Sequence, residues 1–178
     1  MADPIARHLV LIGLRASGKS TVGRRLAAEF GVPFADLDDR TAALLGAASV
    51  GDAFRSVGER RFRDAESEAL RTALAEAPQI IALGGGTPTA PGAAAALAAA
   101  RDAGRAVIVF LDPATDTLAA RLAHDAGDRP SLTGRGVVEE IEEIARMRRP
   151  LYAALADFVF TGEVDSVMIR GAVFGSGR

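Results

Sequence analysis

The 178-residue chain has no cysteine, no tryptophan, a single tyrosine and, among 21 basic residues, a single lysine. Without cysteine there is no disulfide, no zinc–thiolate site and no iron–sulfur cluster. The chain needs none, because at this length roughly 70% of the unfolded surface can be buried in one hydrophobic core. The lack of cysteine also suits a reducing compartment. No apolar run approaches the roughly 18 residues of a membrane span, and the first residues, with Asp3 and Pro4, lack the basic and apolar segments of a secretory signal. A cytoplasmic protein is expected. A formal charge of −2 supplies no basic field to hold nucleic acid or an anionic membrane, so neither is an expected partner. Small-molecule substrates and a monomeric state are expected. With 49% hydrophobic and 25% charged residues, the composition is that of one globular domain spanning residues 1–178.

A lone lysine in an arginine-rich chain marks a position where a compact ammonium on a flexible stem is required and a planar guanidinium does not serve. That residue is Lys19.

Residues 9–12 are a short apolar run ended by Gly13, which reads as a strand buried on both faces. From Ser20 the apolar residues Val22, Leu26 and Phe30 recur every four positions on one helical face, closed by Gly31 and Pro33. The same reading predicts strands at 34–37, 79–83, 106–111 and 158–160. Helices are predicted at 53–77, at 93–101, from Asp112-Pro113 through Leu118 and Leu122, and from 137 to about 149. Residues 124–136 lose apolar periodicity and read as a surface loop, and 162–178 carry mixed signals. Strands alternating with helices predict an α/β fold of three layers, a parallel sheet with helices on both faces.

Gly13-Leu14-Arg15-Ala16-Ser17-Gly18-Lys19-Ser20-Thr21 satisfies G-x-x-x-x-G-K-[ST] between a predicted strand and a predicted helix, the context of a P-loop. The backbone N–H groups of Ala16 to Thr21 then cradle phosphates, Lys19 bridges the β- and γ-oxygens of ATP, and the Ser20 hydroxyl is a Mg²⁺ ligand. The third predicted strand ends Ile80-Ile81-Ala82-Leu83-Gly84-Gly85-Gly86 without the carboxylate that commonly assists the metal. Asp36 and Asp38, two apart at the carboxyl end of the second strand, are the replacement, and strand alternation would aim both to one side.

The chain resembles shikimate kinase. The residues that carry the likeness are Phe34-Ala35-Asp36-Leu37-Asp38, Phe54, Gly58-Glu59-Arg60-Arg61-Phe62-Arg63-Asp64-Ala65-Glu66, the triple glycine and Arg148-Arg149-Pro150-Leu151-Tyr152, in family order over residues 9 to about 157. The resemblance implies a nucleoside-monophosphate-kinase-like fold with a five-stranded parallel sheet, a substrate-binding helical segment at about 38–66 and a lid at about 124–136. It implies an enzyme that moves the γ-phosphoryl of MgATP to the 3-hydroxyl of shikimate. Arg63 and Arg148 match the carboxylate clamp, Asp38 the group that aligns the ring hydroxyls and takes a proton, and Gly84, Gly85 and Gly86 the loop offering the Gly85 N–H. Asp36 matches the metal acid, Phe54 and Phe62 the apolar walls, Arg121 the adenine-stacking position and Arg129, in Asp128-Arg129-Pro130-Ser131-Leu132, the lid arginine over the phosphates. Glu66 stands one helical turn from Arg63 as its orienting partner.

Other readings of the same residues stand beside these. Asp36 and Asp38 suit a turn and a helix N-cap, Arg63 and Arg148 a solvated helix face, and Phe54 and Phe62 the core. Glu139, Glu140, Glu142 and Glu143 read as a solvated face near a helix N-terminus, and His8 and His124 have no partner at metal or triad spacing. A kinase for gluconate or a nucleoside monophosphate, and a non-catalytic module sensing a small anion, are the alternative functions. Two features depart from the family pattern. Ala16 stands where the family has glycine, so its β-carbon crowds the loop if φ is positive there, and the tail 162–178 lacks the proline-marked turn beside adenine.

Overall fold

The computed structural model describes residues 5–124 and 137–175, with only the backbone given for 137–139. Strand β1 (His8–Ile12) is buried at every position. Val10 and Ile12 join one apolar cluster while Leu9 and Leu11 join the other, the period-two division of a strand covered on both sides. After β1 come α1 (Lys19–Phe30), β2 (Phe34–Asp36), α2 (Leu37–Leu44), α3 (Val50–Ala75) and β3 (Ile80–Ala82). A 3₁₀ turn (Thr87–Thr89), α4 (Ala93–Asp102), β4 (Ala106–Asp112), α5 (Thr115–His124), α6 (Val137–Leu155), β5 (Phe158–Thr161) and α7 (Ser166–Phe174) complete the order.

The five strands pair in parallel in the order β2-β3-β1-β4-β5, which is the three-layer α/β arrangement expected. The chain moves out from β1 to β2, returns to β3, then crosses to β4 on the far side of β1. Such a reversal leaves a crevice beyond the carboxyl ends of the strands, where the loops after β1 and β3 both emerge. On one face α3, α4 and α6 cover the sheet through Leu70, Leu97 and Tyr152. On the other, α1 and α7 bring Leu26, Ile169 and Val173. No helix among the described residues is long and apolar enough to cross a membrane.

Several boundaries differ from the sequence expectation. The second strand stops at Asp36, because the Asp36 carboxylate accepts the Asp38 N–H and starts α2, a helix with little apolar periodicity to announce it. Helix α3 begins at Val50, where Ser49 caps it, and is broken at Gly58 (φ 73°, ψ 169°), a conformation open to glycine. Strand β4 runs through Asp112, and α5 starts at Thr115. Helix α6 does not stop near Arg149 but continues through Pro150 to Leu155, since Tyr152 and Leu155 extend its buried face beyond Ile141 and Ala145. The unplaced tail forms α7, capped by Asp165 and packed on α1 with the Phe30 and Phe174 ring centroids 4.7 Å apart.

His8 opens β1 at 3% exposure, and its Nδ1 accepts the Gln79 N–H at 3.3 Å. Burial lowers its pKa from the ordinary 6.5, against backbone hydrogen bonds that pull the other way. Below that pH the unfolded chain binds a proton that the folded one refuses, so stability falls as pH falls through this window. The urea midpoint is expected to drop between about pH 7.5 and about pH 5, and to drop less in His8→Asn, whose amide oxygen can still accept from Gln79. An equal drop in both proteins would remove His8 as the cause.

Candidate active site

Past Ile12 the chain wraps into the N-terminus of α1. Ala16 has φ 61°, the one non-glycine residue in the left-handed region among those described, so the positive φ considered for this position is present. Such a conformation costs about 1–2 kcal/mol for a residue with a β-carbon. Its carbonyl accepts from Arg121 Nη1 at 3.1 Å. Lys19 is the first residue of α1 and is 7% exposed. Its Nζ donates to the carbonyls of Gly13 (3.0 Å) and Leu14 (2.8 Å) and to Ser17 Oγ (3.2 Å). The ammonium is thus folded back on its own loop beside a helix N-terminus, where free N–H groups and the helix dipole favour an anion.

The loop from Arg15 to Val22 lines a cleft of about 810 Å³ that also includes Asp36, Asp38, Gly85, Arg121 and Glu163. Ser17, Gly18, Ser20 and Thr21 all line this cleft. Arg121 spans part of it, with Nη2 3.4 Å from Glu163 Oε1.

Asp36 and Asp38 are not brought together by strand alternation, because β2 ends at Asp36 and Asp38 lies in the first turn of α2. Asp36 is both cap and site residue. Its Oδ1 accepts from Asp38 N at 3.2 Å, while Oδ2 accepts from Ser20 Oγ at 2.7 Å and lies 3.8 Å from Arg24 Nη2. Among the described residues no three His, Asp or Glu side chains form a metal cage. The Ser20 hydroxyl and Asp36 carboxylate are hard oxygen donors, which fits an ion such as Mg²⁺ that completes its shell with phosphate and water.

Gly84-Gly85-Gly86 is the junction of the site. A β-carbon on Gly84 would collide with Asp38 Oδ1 and come within 2.9 Å of Thr87 Oγ1 and 3.0 Å of Glu66 Oε1. One on Gly85 would sit 2.9 Å from the backbone nitrogen of Arg15, and one on Gly86 would collide with Arg63 Nη1. Arg63 donates to Glu66 Oε2 at 2.7 Å, and Thr87 Oγ1 donates to Glu66 Oε1 at 2.8 Å. Burial raises the Glu66 pKa, with Arg63 opposing the rise. Arg148 Nη1 and Tyr152 Oη both donate to the Gly85 carbonyl, at 2.9 and 2.7 Å. Neither arginine is a freely solvated residue of a helix face.

Phe54 and Phe62 meet across the break at Gly58 in an edge-on pair with centroids 5.5 Å apart. Phe62 is 3% exposed and belongs to the interior, while Phe54 is half-buried. Glu140 is buried rather than solvated, unlike exposed Glu142 and half-buried Glu143. Arg129 and its neighbours 128–132, expected as the lid, lie outside the described residues, as does the side chain of Glu139. The sequence reading missed Thr87, Arg24 and Glu163 and gave Tyr152 no part. Thr87 directly follows the triple glycine and Tyr152 is the chain's single tyrosine, which were the available signals.

The shikimate kinase family model matches residues 15–169. A shikimate kinase of Nitratidesulfovibrio vulgaris (Hildenborough) is 46% identical over 174 residues, covering 95% of this chain and 94% of that protein. One from Mycobacterium avium is 39% identical over 152 residues, covering 85% and 82%. Among solved structures, shikimate kinase from Aquifex aeolicus superposes with a TM-score of 0.73 at 28% identity, covering 95% of this chain and 99% of that one. The Acinetobacter baumannii enzyme in complex with shikimate shares the fold with a TM-score of 0.84 at 24% identity, over 97% and 96% of the two chains. With the phosphate loop and the glycine junction in the same chain, these likenesses place it in one family of ATP-dependent small-molecule kinases: the chain belongs to the shikimate kinase family.

Proposed function

We propose that the chain carries out its family's reaction with the residues gathered around the glycine junction: the 3-hydroxyl oxygen of shikimate bonds to the γ-phosphorus of MgATP, the bond to the β,γ-bridging oxygen breaks, and ADP leaves. The observation that carries this reading is the contact of Gly85 with the phosphate loop on one side and with Arg148 on the other, which sets a phosphoryl donor beside an anion clamp. Shikimate presents one carboxylate and three ring hydroxyls. Arg63 and Arg148 take the carboxylate, the Gly85 N–H and Asp38 orient the ring, and Asp38 receives the proton of the attacking hydroxyl. Phe54, backed by the buried ring of Phe62, excludes water from the apolar side of the ring.

Lys19 exchanges its three loop oxygens for phosphate oxygens and offsets the charge that builds between the β- and γ-groups. Ser20 and Asp36 would hold Mg²⁺, and the ion would supply charge neutralisation of the phosphates. Arg121 lies along adenine, and Arg129 covers the phosphates. The reaction belongs to the cytoplasm, with the protein acting as a monomer.

The test is ADP release from MgATP with shikimate, gluconate or AMP as acceptor. Release that depends on shikimate supports the assignment. Release with another acceptor would mean that the arginine clamp serves a different anion, and shikimate binding without release would point to a sensor. Within the shikimate reading, Lys19→Ala is expected to lower kcat on the order of 10²–10³-fold. Arg148→Ala is expected instead to raise KM for shikimate by about 10- to 100-fold, the worth of a charge-assisted hydrogen bond. Equal losses confined to kcat would contradict that division of labour.

A further inference from the structure

The single tyrosine of the chain is 0% exposed, yet its hydroxyl is not idle. The Tyr152 ring stands edge-on to Phe110 of β4, with centroids 5.6 Å apart and planes at 85°. Packing alone would be met by phenylalanine. The hydroxyl donates at 2.7 Å to the Gly85 carbonyl, which also accepts from Arg148 Nη1 at 2.9 Å. Arg148 and Tyr152 are four residues apart on α6, so both project from one helical face onto one oxygen. Burial pushes the Tyr152 pKa from 10.0 up to about 12, so the group remains a donor throughout the working range of pH.

We propose that Tyr152 is a positioning residue for the acceptor site: it holds the Gly85 carbonyl so that Arg148 is free to turn from that carbonyl to the substrate carboxylate. The inference rests on the shikimate reading above. Arg148 is committed to Gly85 before the acceptor arrives, and each N–H it gives to the substrate is one withdrawn from an internal partner. A part-buried carbonyl stripped of its only donor resists such an exchange. With the tyrosine hydroxyl in place, the carbonyl keeps a hydrogen bond when the guanidinium moves. The same bond fixes the Gly85–Gly86 peptide plane, and the backbone of Arg15 closes the space over Gly85.

Tyr152→Phe retains the ring packing and deletes only the hydroxyl. Its KM and calorimetric Kd for shikimate are expected to rise about 2- to 12-fold, the worth of one neutral hydrogen bond, with KM for MgATP changed less than about 1.5-fold. A purely structural role would lower Tm and leave shikimate affinity unaltered, and that result would overturn the proposal. A second measurement is independent of any loss of fold. Because the chain has one tyrosine, growth on 3-fluorotyrosine labels position 152 alone. The fluorine resonance is expected to shift when shikimate is added without nucleotide, and a resonance that does not move would also overturn the proposal. Failure of the unaltered protein to bind or phosphorylate shikimate would overturn the functional reading and this inference together, whereas a normal wild type with an unaffected variant overturns this inference alone.

Discussion

The constraint on which the site depends is the absence of side chains at Gly84, Gly85 and Gly86. Each of the three faces a different neighbour at a distance that leaves no room for a β-carbon: the oxygens of Asp38, Thr87 and Glu66 at the first, the phosphate-loop backbone at the second and the Arg63 guanidinium at the third. Backbone is the thinnest structure a protein can place between two binding sites. A loop with side chains would part donor from acceptor by the width of those side chains, and in-line transfer requires the reacting atoms nearly in contact. Sheet order provides the location, since β3 lies directly beside β1 and their loops leave at the same end.

Around this junction four charged groups of the site have internal partners. Lys19 is held by two carbonyls and a hydroxyl, Asp36 by Ser20, Arg63 by Glu66 and Arg148 by Gly85. No buried side-chain polar atom among the described residues is left without one. Ligand affinity is consequently a difference between two sets of hydrogen bonds. In the proposed reaction Lys19 and Arg148 would give up neutral oxygens for charged ones, a favourable exchange because charge-assisted bonds are roughly twice as strong as neutral ones. Arg63 differs, for its partner is a buried carboxylate that it cannot abandon cheaply. In the proposed clamp, Arg63 would therefore serve as a fixed wall and Arg148 as the movable arm.

The parts legible in the sequence were those with strong local signals. The lone lysine, the glycines flanking it and the apolar runs of β1, β3 and β4 gave the phosphate loop and the sheet, because buried parallel strands and P-loops impose residue types position by position. Helix α2 escaped notice because its start depends on one side chain, Asp36, capping a segment whose composition suits a turn as well. The continuation of α6 through Pro150 escaped notice because proline reads locally as an ending, while the burial of Tyr152 and Leu155 that sustains the helix is tertiary. Thr87 and Tyr152 bond to groups 21 and 67 residues away, and no spacing rule reports such contacts. Glu66 was legible as the partner of Arg63 because the pair lies within one helical turn.

Ala16 raises a different question, since its methyl group stands where the loop turns left-handed. The conformation costs about 1–2 kcal/mol, but glycine at the same position would lose about 0.5–1 kcal/mol more backbone entropy on folding, so the net penalty is comparable to one hydrogen bond. Arg121 supplies a bond of that size to the strained peptide through the Ala16 carbonyl. If Arg121 is also the group that lies along the adenine, the loop's strain and the base contact draw on the same guanidinium. Glu163, on the turn after Gly162, then matters as the remaining anchor of Arg121. A tail without proline and a loop without its usual glycine are in this sense one departure rather than two, joined through Arg121.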